Sequence, residues 1–277
     1  MSFNIAGYQE GVPAVQCWDV RVPVCVEIIR RCNPAIIGFQ EIRPENRLTL
    51  EAGFPHYACE YGGLALADSN PIYWNAECFE RLAGGGFYLS LTPNQFSKSW
   101  DAVSVRGAVW VKLRSKQTNT DLMCVNVHLD HRGSQARIES SKLIVERIKQ
   151  LRHMLPVIVT GDFNSRAWAP ASENVYDYPP PVIPDYLPEG GVVHRIYTEQ
   201  NFKDTYLEAG WNNHLAVNTY HDYAGDDFPP VALRLDWILL LDDAQYIRTL
   251  SHMIVYDAYP PIYASDHYPV MTELELR

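Results

Sequence analysis

Two stretches of the chain set acid, amide and imidazole groups at the ends of apolar runs. Val157-Ile158-Val159-Thr160 empties into Gly161-Asp162-Phe163-Asn164, and Tyr263-Ala264-Ser265 leads into Asp266-His267 before Tyr268-Pro269. A buried strand that ends in a carboxylate and an amide, paired with a remote Asp-His, is equipment for metal-assisted attack on a phosphoester. Further polar groups stand at or near the ends of other expected strands: Asn4, Glu41, Asn126, His128 and Asp236. Carboxylates and amides without clustered thiolates favour a hard divalent cation, Mg²⁺ or Mn²⁺, over zinc. Each element alone has a plainer reading. Asn126-Val127-His128 fits any half-exposed strand, Asp236 could cap or pair with Arg234, and Ser265-Asp266-His267 could be a turn before Pro269. Zinc held by His128 and His131 is disfavoured, because residues three apart on a strand point to opposite faces unless a turn at Asp130 intervenes.

These groups need strands to deliver them. Residues 2–6 read as a short strand that carries Asn4 near its end. The helical spacing of Val22, Cys25, Val26 and Ile29 predicts a helix over 22–31, with Pro23 in its first turn and Asn33-Pro34 as its stop. Residues 35–39 form a continuous apolar strand that delivers Gln40 and Glu41 to its C-terminal edge, and Arg43-Pro44-Glu45 reads as a polar loop. Strands are expected over 106–113 and 122–129, and in the second the two-residue period puts Asn126 and His128 on one face. The clearest helix is 134–154, with Ile144, Ile148 and Leu151 on one side. Further strands follow over 235–241, 251–256 and 270–276. The proline- and tyrosine-rich stretch 168–191 reads as a long loop, and its part 176–191 is expected to form a wall or lid beside the site. Many strands with few helices argue for packed β-sheets flanked by helices.

With 277 residues and 47% hydrophobic content, the chain can bury the core of one domain spanning 1–277. A net charge of −10 disfavours nonspecific capture of long nucleic acid, whose affinity comes largely from Lys and Arg. No apolar run approaches the roughly 20 residues needed to span a bilayer, and no segment marks an obligate protein partner. The chain reads as cytoplasmic by default, or secreted if a leader has been removed. Six cysteines, at 17, 25, 32, 59, 78 and 124, lack CxxC spacing and read as reduced thiols.

Taken in order, the segments Ser-Phe-Asn-Ile at 2–5, Ile-Gly-Phe-Gln-Glu at 37–41, Asn-Val-His-Leu-Asp-His at 126–131, Gly-Asp-Phe-Asn at 161–164, Arg-Leu-Asp-Trp-Ile at 234–238 and Ser-Asp-His-Tyr-Pro-Val at 265–270 resemble the endonuclease/exonuclease/phosphatase superfamily. Trp18 with Arg21, Leu89-Ser90-Leu91-Thr92-Pro93, Arg106-Gly107-Ala108 and Thr219-Tyr220-His221 resemble a bacterial hydrolase subgroup akin to deadenylase catalytic domains. The resemblance implies an α+β fold, a four-layer αββα sandwich like that of deoxyribonuclease I. It implies Glu41 as principal metal ligand, with Asn4 and Asp266 completing the shell. By the same carry-over Asp162 orients or deprotonates water, and Asn164 and Asn126 donate to phosphoryl oxygens. His267, held by Asp236, is the general base or a charged phosphate contact, and His128 is a second phosphate contact or the acid at the leaving group. Arg106, Arg132, Arg137 and His221 are further substrate-binding candidates. This chain departs from the subgroup in carrying Asp68-Ser69 where Gly-Glu is usual, and in a longer loop at 176–191. The implied function is a metal-dependent phosphoesterase acting on a phosphomonoester or phosphodiester, a small molecule ahead of a nucleic acid. The alternatives are a nuclease or 3′-exonuclease on short single strands and a catalytically inactive binding module of the same fold.

Overall fold

The computed structural model describes residues 1–167, 189, 191–211, 217–229 and 232–277. All but Glu189 and Gly191 of the expected lid at 176–191 therefore lies outside the described residues. Two six-stranded sheets face each other. The first runs β11 (Ile247–Ile254), β14 (Val270–Leu276), β1 (Ser2–Asn4), β2 (Ile36–Gln40), β4 (Ile72–Asn75) and β3 (Tyr57–Glu60). The second runs β5 (Phe79–Tyr88), β6 (Gly107–Ser115), β7 (Asp121–His128), β8 (Val157–Asp162), β10 (Asp236–Leu241) and β9 (Lys203–Asp204). A small hairpin, β12 (Ala258–Tyr259) with β13 (Ile262–Tyr263), precedes the last strand.

Each sheet contains one parallel pair, β1 with β2 and β7 with β8. A parallel pair needs a crossover, and a helix supplies it in both cases. α1 (Trp18–Cys32) joins the first pair and packs Val24, Cys25, Ile28 and Ile29 on the outer face of the first sheet. α3 (Ser134–Leu151) joins the second pair and packs Ile144, Val145 and Ile148 on the outer face of the second. α2 (Pro44–Gly53) adds Leu50 to the first helical layer, and α4 (Val192–Thr198) adds Val193 and Tyr197 to the other. Between the sheets lies a third core that includes Ile72, Trp74, Val109, Val111, Leu113, Ile158, Ile238, Leu240 and Val270. The result is the expected four-layer αββα sandwich. No helix among the described residues is long and apolar enough to cross a membrane, and all six cysteines are free.

Several boundaries differ from the sequence reading. α1 opens at Trp18, so Pro23 stands in its second turn rather than its first. The expected loop at 43–45 instead starts α2, with Pro44 in the first turn, where its missing N–H leaves no bond unmade. α3 stops at Leu151 because His153 and Met154 adopt left-handed backbone, with φ of 47° and 69°. β11 begins at Ile247, earlier than 251, because β14 offers it a partner from Leu276 onward.

Candidate active site

The site arises from the two-residue period of five strands. Along β8 the residues facing the other sheet are Ile158, Thr160 and Asp162; along β7 they are Cys124, Asn126 and His128; along β10, from its far end, Leu240, Ile238 and Asp236. Each strand turns from apolar to polar toward the same end of the sandwich. β1 brings Asn4 to that end, and β2 brings Gln40 followed by Glu41. Register then fixes the neighbours, since Asp162 pairs with His128 on one side and Asp236 on the other.

Asp162 is the point of convergence. Its Oδ1 accepts the Asn164 N–H at 2.8 Å, and its Oδ2 accepts from Asn4 Nδ2 at 2.9 Å. The same Oδ2 lies 3.4 Å from His128 Nε2 and 3.7 Å from His267 Nε2. His267 is oriented from behind, its Nδ1 lying 2.8 Å from Asp236 Oδ2. Asp236 is itself set by Thr219, whose hydroxyl accepts the Leu235 and Asp236 N–H groups at 2.9 and 3.1 Å. Burial disfavours a charged ring at His267, but the flanking carboxylates of Asp236 and Asp162 outweigh it and raise its pKa well above the ordinary value. Burial pushes Asp162 up to about 7, against the pull of His267.

Glu41 stands on the opposite wall in left-handed backbone, at φ 63°. Its carboxylate accepts from Asn4 Nδ2 at 3.1 Å and from the Gly7 N–H at 3.1 Å. Gly7 has to be glycine-sized, because a Cβ there would sit 2.6 Å from the Glu41 carbonyl oxygen. Burial, and then repulsion from Asp266, raise the Glu41 pKa. Two carboxylates that repel each other at a cleft wall, with oxygen donors and no thiolate, fit a hard divalent cation. Asn4 is turned otherwise: its Oδ1 accepts the Ala6 N–H at 3.0 Å, and its amide nitrogen bridges Glu41 and Asp162. Asp162, Asp236 and His267 also bring ligand atoms within 4.8 Å of one another, but two of them already share a hydrogen bond.

Arg21 braces this wall from inside. Its fully buried guanidinium donates to the carbonyls of Gln16, Ile5, Ala264 and Ala6 at 2.6 to 2.8 Å. It thereby ties the chain beyond Asn4 to the segment that leads into Asp266 and His267.

The cleft has a volume of about 690 Å³ and is lined by Glu41, Asp162, Asn164, Asp266, His267, His128, Arg106 and Arg132 among others. One side is acidic and the other holds imidazole and guanidinium groups. Five expected site residues are not in its lining: Asn4 and Asp236 stand behind it, bonded to Glu41, Asp162 and His267, and three others are held elsewhere. Asn126 is locked between the sheets, its amide donating to the Phe39, Asn70 and Pro71 carbonyls and its oxygen accepting from Gln40 and Thr160. Arg137 is buried against Glu189 and the Asp130 carbonyl. His221 is stacked on Tyr268 at 3.9 Å between ring centroids, and burial pushes its pKa down to about 3. These three are buried, and the cleft lining does not include them.

The sequence matches the endonuclease/exonuclease/phosphatase family over residues 1–267. The chain belongs to that family. Its members are hydrolases that act on phosphoester bonds. The fold is similar to an endonuclease/exonuclease/phosphatase from Bacteroides vulgatus, at 26% identity and a TM-score of 0.82, over 100% of this chain and 97% of that one. It is similar to a mannosyl-6-phosphatase from Bacteroides thetaiotaomicron at 24% identity and a TM-score of 0.82, over 99% and 98%. It is also similar to D. rerio TDP2 complexed with a single-strand DNA product, at 15% identity and a TM-score of 0.70, over 99% and 97%. No curated protein matches the chain in sequence.

Within this family cleft also stand Gln9, Arg43, Tyr220 and Asp222, which sequence reasoning did not single out as site groups, together with Asp68, noted there as a departure from the subgroup, and His131, weighed there only as a zinc ligand. Arg43 donates to Asp68 at 2.6 Å, so the unusual Asp68 forms part of the wall. For His131 the one available signal is Asp130, whose turn lets it reach the side that His128 faces. Both rings meet Arg106 through Nδ1, and the His/Asp/Glu group that brings ligand atoms together among the described residues includes neither of them.

Proposed function

We propose that the protein is a divalent-metal-dependent phosphoesterase that hydrolyses a small phosphomonoester or phosphodiester by in-line attack of water. The observation that carries this function is the convergence of Asn4, His128 and His267 on one oxygen of Asp162, in a cleft that Glu41 and Asp266 also line. Glu41 and Asp266 would hold Mg²⁺ or Mn²⁺, with Asn4 fixing Glu41 in place. Bound there, the cation supplies positive charge against a phosphoryl oxygen and the leaving group.

Asp162 orients the attacking water and takes its proton, for which its raised pKa suits it. His267 lies between two carboxylates and is held as the cation, so its part is that of a charged phosphate contact rather than the base. Asn164 and His128 donate hydrogen bonds to the phosphoryl oxygens as negative charge builds. Cleft residues run from Gln9 to His267, and we treat 1–277 as one catalytic domain. A small substrate suits the 690 Å³ cleft and the net charge of −10. One observation favours a second reading, a 3′-exonuclease on short single strands: Tyr220 lines the cleft beside His267, ring centroids 5.1 Å apart, and offers a face for a base.

The test is turnover across sugar phosphates, nucleotides, lipid head groups and short oligonucleotides with Mg²⁺, Mn²⁺ or chelator, alongside Glu41→Ala and His267→Ala. Metal-dependent hydrolysis of a small ester, lost in both variants, is the expected outcome. Turnover confined to oligonucleotides supports the second reading, and turnover that persists in chelator and in both variants sinks the proposed site.

A further inference from the structure

Arg106 is the buried cation of the cleft that the hydrolysis above leaves without a task. Its Nη1 lies 2.9 Å from His128 Nδ1 and its Nη2 3.3 Å from His131 Nδ1. A guanidinium can only donate, so both Nδ1 atoms are the acceptors and carry no proton. In a neutral imidazole the proton then sits on Nε2. One arginine thus writes the same tautomer into two rings and, as a cation beside them, opposes charging either. The direction agrees: burial and then Arg106 lower the pKa of both His128 and His131.

Both rings line the cleft that contains Asp162, and the backbone that carries them is fixed. His128 ends β7, and the turn beyond it is held by Asp130, whose carboxylate accepts the N–H groups of Val103, Ser104, Arg132 and Gly133 at 2.8 to 3.0 Å. Nε2 of His128 faces Asp162, where the phosphoryl group would react.

We propose that Arg106 is a positioning residue that holds His128 and His131 as a pair of neutral Nε2–H donors, and that His131 is a second imidazole contact to a phosphoryl oxygen of the substrate. The contact rests on the phosphoesterase reading; the tautomers do not. Neutral donors grip a phosphoryl group through hydrogen bonds without the net charge that would retain anionic product.

The test is long-range ¹H–¹⁵N spectroscopy of the imidazoles in the whole protein with Mg²⁺, titrated with inorganic phosphate. Both rings are expected to be protonated on Nε2, with phosphate shifting both Nε2 resonances, and Arg106→Gln is expected to release a mixture of tautomers. His131→Gln places an amide N–H where Nε2–H stands and keeps phosphate affinity within about threefold, while His131→Asn places it at the Nδ1 position and weakens binding about tenfold or more. A wild-type ring protonated on Nδ1 overturns the role of Arg106. Equal affinity in the Gln and Asn variants overturns the His131 contact. If phosphate moves neither ring while an ester is turned over, the contact alone fails; if no ester is turned over either, the phosphoesterase reading fails with it.

Discussion

One oxygen of Asp162 meets an amide nitrogen and two imidazole nitrogens, and the site's chemistry depends on which of them is charged. Two histidines a few ångströms apart are driven in opposite directions by their rear partners. Arg106 behind His128 disfavours a second positive charge, whereas Asp236 behind His267 calls for one. Neutral donor and cation therefore stand on either side of the same carboxylate. Asp236→Asn should separate these roles, because the side chain stays nearly the same size while the charge that holds His267 as imidazolium is gone. We expect kcat to fall about 10²- to 10⁴-fold with a smaller change in KM, and the His267 titration to move down toward the ordinary histidine range. Steady-state kinetics together with imidazole NMR check this, and an unchanged His267 titration would mean that Asp236 does not set its charge.

The connections between elements are braced by buried charges that address backbone rather than side chains. Arg21 gathers four carbonyls beneath the acidic wall, and Asp130 gathers four N–H groups beneath the imidazole wall, joining the β5–β6 connection to the start of α3. Burial alone would raise the Asp130 pKa, but the backbone N–H groups outweigh it and the net shift is downward. A carboxyl whose folded pKa is depressed adds stability above its unfolded value, near 3.9, and loses it as pH falls through the folded value. Asp130→Asn should therefore cost about 3 kcal/mol at neutral pH, through unsatisfied or weakened bonds to buried N–H groups. The gap in melting temperature from wild type should narrow below about pH 4. Thermal unfolding across pH measures it, and a gap that stays constant down to pH 3 would show that the charge is not what holds the turn.

At the scale of the whole molecule, the strand period and the order of the motifs made the sandwich and the Asp162, His128, Asp236 and His267 group legible in the sequence. The fate of Asn126 was not, because its partner Gln40 lies 86 residues away and only sheet-on-sheet packing brings them together. The placing of Arg137 away from the cleft was hidden for the same reason, its partner Glu189 being 52 residues on. α2 escaped notice because it buries only Asn46 and Leu50, too few to show a period. Near the site, the approach of the two sheets leaves one residue no room for a side chain. Gly38 on β2 faces Thr160 and Asn126 so closely that an added Cβ would lie 2.0 Å from the Thr160 hydroxyl and 2.6 Å from the Asn126 oxygen. Gly38→Ala must push the sheets apart near the end where Asn4 and Glu41 from one meet Asp162 and His128 from the other. Overpacking of this kind costs about 1–3 kcal/mol, and misplacing reacting groups by about an ångström costs roughly 10²-fold in rate. Adding Thr160→Ala removes the nearer clash but leaves Asn126 in the way, so the double variant should regain part of the stability and less of the turnover. Urea unfolding and kcat for the single and double variants measure both, and wild-type values in Gly38→Ala would show that the sheets' separation is fixed elsewhere.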